Sequence, residues 1–204
     1  MTLLQRPLRR DEAKLLTRHR LLHAGRDLLA EQGPEGLTTG RVAQRAGVAQ
    51  ATFYVHFRDL DELLAEVATT VVGQVQQALT GLRLRFGQTD QVGPVLRETF
   101  GLSLDAIAEH AALLRLFMAA GLRDEGILGD CGRRLLADLA RQLYEDLRPL
   151  PLTAALDDAR LRLGADSVVG LTLHTGLGLA EGRLPDREQA LDLLCRVTLA
   201  LLAP

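Results

Sequence analysis

The sequence predicts an all-α protein, with a three-helix unit at the N-terminus and a larger helical domain after it. Leu and Ala are abundant and aromatic residues make up only 3% of the chain, a composition that favours helix over sheet. Apolar residues recur at helical spacing between Gly and Pro breaks. We therefore divide the 204 residues into an N-terminal domain, residues 1–58, and a C-terminal domain, residues 59–204.

The sequence of the first domain predicts three closely spaced helices. The first covers residues 11–32 and ends at Gly33-Pro34, because both residues break helices. Thr38 is a good N-cap for a second helix over residues 39–46, and Gly47 ends it. The third helix is short and covers residues 50–56.

The sequence of the second domain predicts six longer helices. Acidic residues at its start favour a helix N-terminus there, and the breaks fall at Gly121, Pro149, Pro151 and Pro185. The expected helices cover residues 59–85, 91–110, 111–120, 124–147, 154–181 and 186–202.

Charge is unevenly distributed along the chain. Residues 1–60 hold ten basic side chains against six acidic ones, although the whole chain has a net charge of −2. A basic N-terminal part on an acidic body is typical of a protein that meets a polyanion at one end. A solvated surface gives the same balance, so charge alone does not decide the function.

Several other kinds of protein are disfavoured. Cys131 and Cys195 lack the spacing of metal or redox motifs, and they fit buried thiols in a reducing cytoplasm. We find no signal peptide and no uncharged stretch of about 18 residues, so no membrane association is expected. His19 and His23 have no third ligand nearby, so they predict a surface pair rather than a metal site. The segment TGLGLAEG lacks the spacing of a dinucleotide loop, and no cofactor is expected.

A helix-turn-helix pattern occupies residues 36–57, GLTTGRVAQRAGVAQATFYVHF. By propensity alone, its segment TFYV would form a strand. Phe53 and Phe57 are four residues apart, however, so on a helix they share one face and can pack against the first two helices. The second helix of such a motif enters the major groove of DNA.

Together with RHRLLHAGRDLLAEQG before it, this pattern resembles the TetR family of bacterial transcriptional repressors, from residue 18 to about residue 64. The resemblance implies an N-terminal helix-turn-helix domain, a C-terminal domain for dimerisation and effector binding, and no enzymatic activity. The residues that carry it are Gly33, Thr38, Thr39, Ala43, Ala46, Gly47, Val48, Thr52, Tyr54, His56 and Phe57.

Individual DNA contacts follow from side-chain chemistry and from the resemblance. The Gln50 amide can pair with adenine N6 and N7, while Ala51 and Val55 can contact a thymine methyl group. Thr52 can reach a base or a phosphate. The resemblance assigns Tyr54 and His56 to the DNA backbone. Further phosphate candidates are the start of the second helix, Thr38 and Thr39, and its outer side, Arg41 and Arg45.

Two positions depart from the family pattern. Leu60 stands where a phosphate-anchoring Lys is common, and Gly40 stands where some members carry an Arg that reads guanine. A basic N-terminal arm, Arg6, Arg9 and Arg10, could compensate along the minor groove. The alternative is a solvated tail.

The resemblance implies a homodimer formed by the last two long helices. Gly residues recur through the first of these helices and would allow another helix to approach closely, and the last helix carries an apolar seam. The predicted interface residues are Gly170, Gly178, Gly182, Leu191, Leu194, Val197 and Leu201.

An effector pocket is expected among the middle helices, lined mostly by apolar side chains, with a few polar groups that orient a ligand. The predicted lining comprises Phe86, Phe100, Leu104, His110, Leu114, Phe117, Met118, Tyr144 and His174. Thr99, Ser103 and Leu135 are further candidates. The expected effector is a small, mostly apolar molecule.

These observations predict a cytoplasmic, ligand-responsive repressor. A homodimer would bind double-stranded DNA at a palindromic operator and would be released by its effector. An activator of the same fold remains an alternative, as does a helical enzyme or small-molecule-binding protein with a vestigial helix-turn-helix. No Ser/His/Asp arrangement, carboxylate pair or metal cluster supports an enzyme.

Overall fold

The computed structural model describes residues 9–86, 92–123 and 126–202, with the backbone alone for residues 78–86. All helices and turns in these ranges agree with the predicted all-α class, which is confirmed. The chain divides into two compact units, Met1–Ala68 and Thr69–Pro204, so the division lies within the fourth helix rather than at residue 58. Arg6 and the side chain of Phe86 lie outside the described residues.

Capping and glycine turns set the helix bounds of the first unit. The Glu12 carboxylate accepts from the backbone N–H of Arg9, 2.8 Å away, at the start of the first helix. The backbone turns at Gly33 and Gly47 with φ of 70° and 67°, a left-handed conformation that favours glycine. The helices are α1 (Arg10–Gln32), α2 (Thr39–Arg45), α3 (Gln50–His56) and α4 (Leu60–Phe86), which continues into the second unit.

Two phenylalanine rings hold the short α3 in the core of the first unit. Phe53 and Phe57 are 0% and 1% exposed, and their ring centroids are 5.6 Å apart. Burial of a Phe side chain contributes about 1.5–3 kcal/mol, which offsets the poor helix propensity of this segment. A Cβ at Gly25 on α1 would lie 2.5 Å from Cδ2 of Leu63 on α4, so α1 and α4 pack closely.

Among the residues that the structure describes, the second unit contains the rest of α4 and five further α-helices. Its hydrophobic core joins α5, α8 and α9 through Phe100, Val168 and Leu194. A second cluster joins α7, α8 and α9 through Tyr144, Ala165 and Leu202. The helices are α5 (Val92–Glu109), α6 (Ala111–Arg123), α7 (Gly126–Leu147), α8 (Asp158–Ala180) and α9 (Arg187–Leu202).

Two glycines permit especially close helix packing in this unit. A Cβ at Gly132 on α7 would lie 2.1 Å from the backbone oxygen of Phe117 on α6. A Cβ at Gly176 on α8 would lie 2.7 Å from Cγ2 of Ile107 on α5. The α6–α7 contact is therefore backbone against backbone, and no side chain there can move aside.

Helix α8 begins four residues later than the sequence predicts. Residues Pro151–Thr153 form a 3₁₀ turn, and the Thr153 hydroxyl donates to the carbonyl of Leu147, 2.7 Å away. The Asp157 carboxylate then accepts from the backbone N–H of Arg160 at 2.7 Å and caps the helix. The start predicted at residue 154 was wrong because Asp157 supplies the stronger N-cap.

Candidate nucleic-acid interface and effector cavity

Helix α3 separates its buried face from an exposed one. Phe53 points into the core, whereas Tyr54 and Val55 are 56% and 67% exposed. Gln50 and Ala51, at the start of the helix, are also exposed, and Thr52 is half-buried. The predicted base-contacting residues therefore share one accessible surface of a helix anchored from behind.

The start of α2 is hydrogen-bonded to this exposed surface. Thr38 caps α2, with its hydroxyl accepting from the backbone N–H of Arg41 at 3.2 Å. The next hydroxyl, on Thr39, accepts from Gln50 Nε2 at 3.1 Å. It also lies 3.3 Å from the hydroxyl of Tyr54. The two helices of the motif thus share one polar network.

Gly40 leaves room for the Gln50 side chain. A Cβ at Gly40 would lie 3.7 Å from both Cδ and Oε1 of Gln50, which is ordinary van der Waals contact. A long side chain at this position would compete with the Gln50 amide for the same space. Where some family members carry an Arg at this position, Gly40 therefore leaves space that the Gln50 side chain occupies.

Arg41 and Arg45, the phosphate candidates predicted on the outer side of α2, are both bonded within the first unit. Arg41 donates to the carbonyl of Gly36 at 2.8 Å and to the side chain of Gln32. Arg45 forms an ion pair with Glu31, with the Arg45 side chain 39% exposed. Both guanidinium groups tie α2 to the end of α1, so contact with a phosphate would have to compete with these bonds.

His56 is half-buried, and its Nδ1 atom is buried without a hydrogen-bond partner. Burial lowers the pKa of His56 below the ordinary 6.5, and the nearby cations Lys14 and Arg18 lower it further. The neutral ring is therefore favoured at neutral pH. A tautomer with its proton on Nε2 avoids a buried unsatisfied donor and leaves Nε2–H to meet an acceptor.

Arg58 is a cation near Leu60 that the sequence analysis did not select. Its side chain is 80% exposed and pairs with Asp59. The Asp59 carboxylate also accepts from the backbone N–H of Glu62 at 2.9 Å and caps α4. The sequence signal for Arg58 was its position two residues before Leu60, the position at which the family pattern has a phosphate-anchoring Lys. Arg18, whose guanidinium donates to the carbonyl of His56 at the end of α3, was also missed.

An apolar cavity of about 60 Å³ lies within the second unit. Of the predicted effector residues, Phe100 lines it, together with the further candidates Thr99 and Ser103. The Thr99 and Ser103 hydroxyls each donate to a backbone carbonyl of α5 at 2.8 Å. Thr198 Oγ1 is buried without a partner. The remaining lining is Val75, Leu96, Ile107, Leu139, Gln142, Leu143, Asp146, Leu147, Val168, Val169, Thr172 and Leu173.

The other predicted pocket residues lie away from this cavity. His174 is exposed, and the Tyr144 hydroxyl donates to Asp158. Leu104 packs in the core between α5, α8 and α9. The cavity instead forms where α5 meets α7 and α8, whereas the prediction concentrated on α5 and α6. The remaining predicted residues that do not line it are His110, Leu114, Phe117 and Met118, and the further candidate Leu135 does not line it either.

The predicted dimer residues divide into buried and accessible groups. Leu191 and Leu194 are 3% and 0% exposed because they form the core of their own subunit, so their assignment to an interface was wrong. Gly178 packs against its own chain, since a Cβ there would lie 2.9 Å from Leu184. Gly170 and Gly182 are exposed, and Val197 and Leu201 are half-buried.

Comparison with known proteins agrees with this geometry. Residues 21–67, which run from within α1 into α4, match the family described as "Bacterial regulatory proteins, tetR family". The N-terminal domain is therefore similar to the DNA-binding part of the TetR family. Over 54 residues it is 41% identical to the tetracycline repressor protein class A from transposon 1721 of Escherichia coli. That match covers 26% of this chain and 25% of the repressor.

Solved structures extend the likeness to the whole TetR-family fold. A TetR-like transcriptional regulator from Rhodococcus sp. RHA1 is 17% identical, with a TM-score of 0.63 over 94% of this chain and 96% of that one. The fatty acid degradation regulator FadR from Bacillus halodurans is also 17% identical, with a TM-score of 0.66 over 91% and 94% of the two chains. At this identity the structures establish a shared fold. Across the described helices, none is long and apolar enough to cross a membrane.

Proposed function

We propose that this protein is a cytoplasmic transcriptional repressor that binds double-stranded DNA as a homodimer. The exposed face of α3 carries this proposal, because a helix anchored by Phe53 and Phe57 presents Gln50 and Tyr54 to solvent. Polar side chains on a rigid, accessible helix are suited to base edges and phosphates. The family match over residues 21–67 supports the same assignment.

The exposed faces of α8 and α9 support the homodimer. Leu163, which is 67% exposed, Gly170 and His174 follow one accessible stripe of α8, and Leu193 is 47% exposed on α9. Apolar side chains on accessible helix faces are suited to a second copy of the chain. Two copies would present their recognition helices about 34–36 Å apart, on successive major grooves of a palindrome.

The apolar cavity supports release by a small, mostly apolar effector. Its lining is rich in Leu, Val and Phe side chains, and Thr198 supplies an unpartnered hydroxyl. At about 60 Å³ the cavity is far smaller than a typical ligand pocket of about 300–1,000 Å³. An effector must therefore select a more open state of this unit, and the energy of that selection is what would weaken DNA binding.

Selection of bound duplexes from a random library tests the proposal. We expect the purified chain to enrich a palindrome with two half-sites about one helical turn apart. The matched control is a variant with Gln50→Ala and Tyr54→Ala, which keeps Phe53 and Phe57 and should fold without enriching a site. Failure of the natural chain to enrich any sequence at low salt contradicts the proposal.

A further inference from the structure

Three side chains on the exposed surface of the helix-turn-helix form one hydrogen-bonded chain. Gln50 and Tyr54 lie four residues apart on α3, and Thr39 on α2 lies between their polar ends. Gln50 Nε2 donates to Thr39 Oγ1 at 3.1 Å, and Thr39 Oγ1 lies 3.3 Å from the Tyr54 hydroxyl. A residue suited to reading bases is therefore coupled to one suited to holding a phosphate.

The direction of this chain follows from counting protons. A Thr hydroxyl has one proton and two lone pairs, and one lone pair of Thr39 receives the Gln50 amide. A phosphate only accepts hydrogen bonds, so Tyr54 must donate its single proton to it. Tyr54 can then only accept from Thr39. The consistent order of donation is Gln50 to Thr39, Thr39 to Tyr54, and Tyr54 to the phosphate.

The same bond fixes which end of the Gln50 amide is held. A free Gln side chain can rotate its amide and exchange the oxygen for the NH₂ group, so it can meet either a donor or an acceptor on a base. With one N–H of Nε2 donated to Thr39, the amide cannot exchange its two ends without breaking that bond, so Oε1 and the second N–H are left to meet a base. Gly40 has no side chain, so the amide lies across α2 without hindrance.

Resting on the DNA-binding function proposed above, we propose that Thr39 is a positioning residue that makes Gln50 select an amino base. Oε1 accepts a hydrogen bond from the amino group of adenine N6 or cytosine N4 in the major groove, and the second N–H of Nε2 can donate to adenine N7. Guanine and thymine present only acceptors on their major-groove edges there, O6 and N7 or O4, so they can meet the second N–H but leave Oε1 without a donor. The domain therefore prefers adenine or cytosine to guanine or thymine at the position under Gln50.

The test compares variants at the base pair that Gln50 contacts, which is identified because Gln50→Ala loses selectivity there alone. Binding to duplexes with each of the four bases at that position is measured by fluorescence anisotropy. We expect the natural chain to prefer the amino bases about tenfold, and Thr39→Val to reduce that ratio toward one. Thr39→Ser keeps the hydroxyl and should retain the ratio.

Tyr54→Phe separates positioning from general affinity. It removes the phosphate donor and leaves the bond between Gln50 and Thr39, so binding should weaken for all four duplexes alike, with the base preference unchanged. An unchanged ratio in Thr39→Val, or a preference of the natural chain for guanine or thymine, overturns the inference. Absence of selective DNA binding by the natural chain instead contradicts the proposed function itself.

Discussion

The guanidinium of Arg18 donates a hydrogen bond to the backbone carbonyl of His56, the last residue of α3. The same group pairs with Glu66 on α4 and lies 4.2 Å above the centroid of the Phe57 ring. With its side chain 31% exposed, Arg18 connects α1 to the C-terminal end of α3 and to α4. It therefore holds the C-terminal end of α3 against α1 and α4.

Replacing Arg18 with Met should destabilise the DNA-binding unit and weaken DNA binding. Met keeps much of the apolar contact with Phe57 but removes the bond to the His56 carbonyl, and we expect a loss of about 1–3 kcal/mol in the free energy of unfolding. Thermal unfolding and anisotropy measure the two effects. Glu66→Gln removes only the charge of the ion pair and should cost about 0–1 kcal/mol. Equal effects of the two substitutions would contradict the role assigned to the His56 carbonyl.

Leu60→Lys should strengthen DNA binding. Leu60 is half-buried at the start of α4, and the family pattern places a phosphate-contacting Lys there. One added phosphate contact steepens the dependence of the logarithm of affinity on the logarithm of salt concentration by about 0.9. Anisotropy titrations at several salt concentrations measure this slope. Leu60→Gln has similar length without charge and should leave the slope unaltered, and a Lys variant that behaves like it would refute the prediction.

Acidification should destabilise the first unit between neutral pH and mildly acidic pH. Burial lowers the pKa of His56 and of His23 below the ordinary value of 6.5, with neighbouring cations adding to the effect. Below about pH 6.5 the unfolded chain therefore binds more protons than the folded chain, so stability is present above that pH and is lost as pH falls toward the lower folded pKa values. Asp59, whose pKa is lowered by Arg58, loses its contribution only at more acidic pH.

Thermal unfolding measured from about pH 7.5 to 5.5 tests this expectation. His56→Gln and His23→Gln should each reduce the fall in Tm across the interval, and the double variant should reduce it most. Both substitutions keep a polar side chain of similar length. A double variant with the same pH dependence as the natural chain would show that other groups control the transition.

Leu163→Arg should convert the proposed dimer to a monomer. Leu163 is 67% exposed on α8, so an Arg there does not disturb the subunit's core, but two copies of the charge would meet in a symmetric interface. Light scattering coupled to size-exclusion chromatography gives the mass, and circular dichroism checks helix content. Leu122→Arg, at a position 88% exposed on α6, is the matched control and should remain dimeric. A dimeric Leu163→Arg variant would place the interface elsewhere.

The sequence was most informative where local rules and burial agree. Thr38 caps the N-terminus of α2 and Gly47 follows its C-terminus, as the sequence predicts. The segment from Thr52 to Val55 favours a strand by propensity, yet the spacing of Phe53 and Phe57 correctly predicts a helix because burial outweighs the small propensity differences.

Prediction was weaker where the outcome depends on which element covers an apolar face. Leu191 and Leu194 lie on an apolar seam, but periodicity does not reveal whether that seam meets the same chain or a second copy. Tyr144 was assigned to the apolar lining of a pocket among the middle helices, whereas its hydroxyl donates to Asp158 on α8. The hydrogen bond of Arg41 to Gln32 and the ion pair of Arg45 with Glu31, both at the end of α1, likewise depend on tertiary geometry.

The contact between Gly132 and the Phe117 carbonyl limits how the second unit can respond to an occupant. Helices α6 and α7 meet there without any side chain that could rotate, so we expect the two helices to move together as one rigid body. Cavity residues Leu139, Leu143 and Leu147 all lie on α7. Any expansion of the cavity that pushes α7 outward must therefore move α6 as well. The added methyl group of Gly132→Ala would separate α6 from α7 even when no effector is bound.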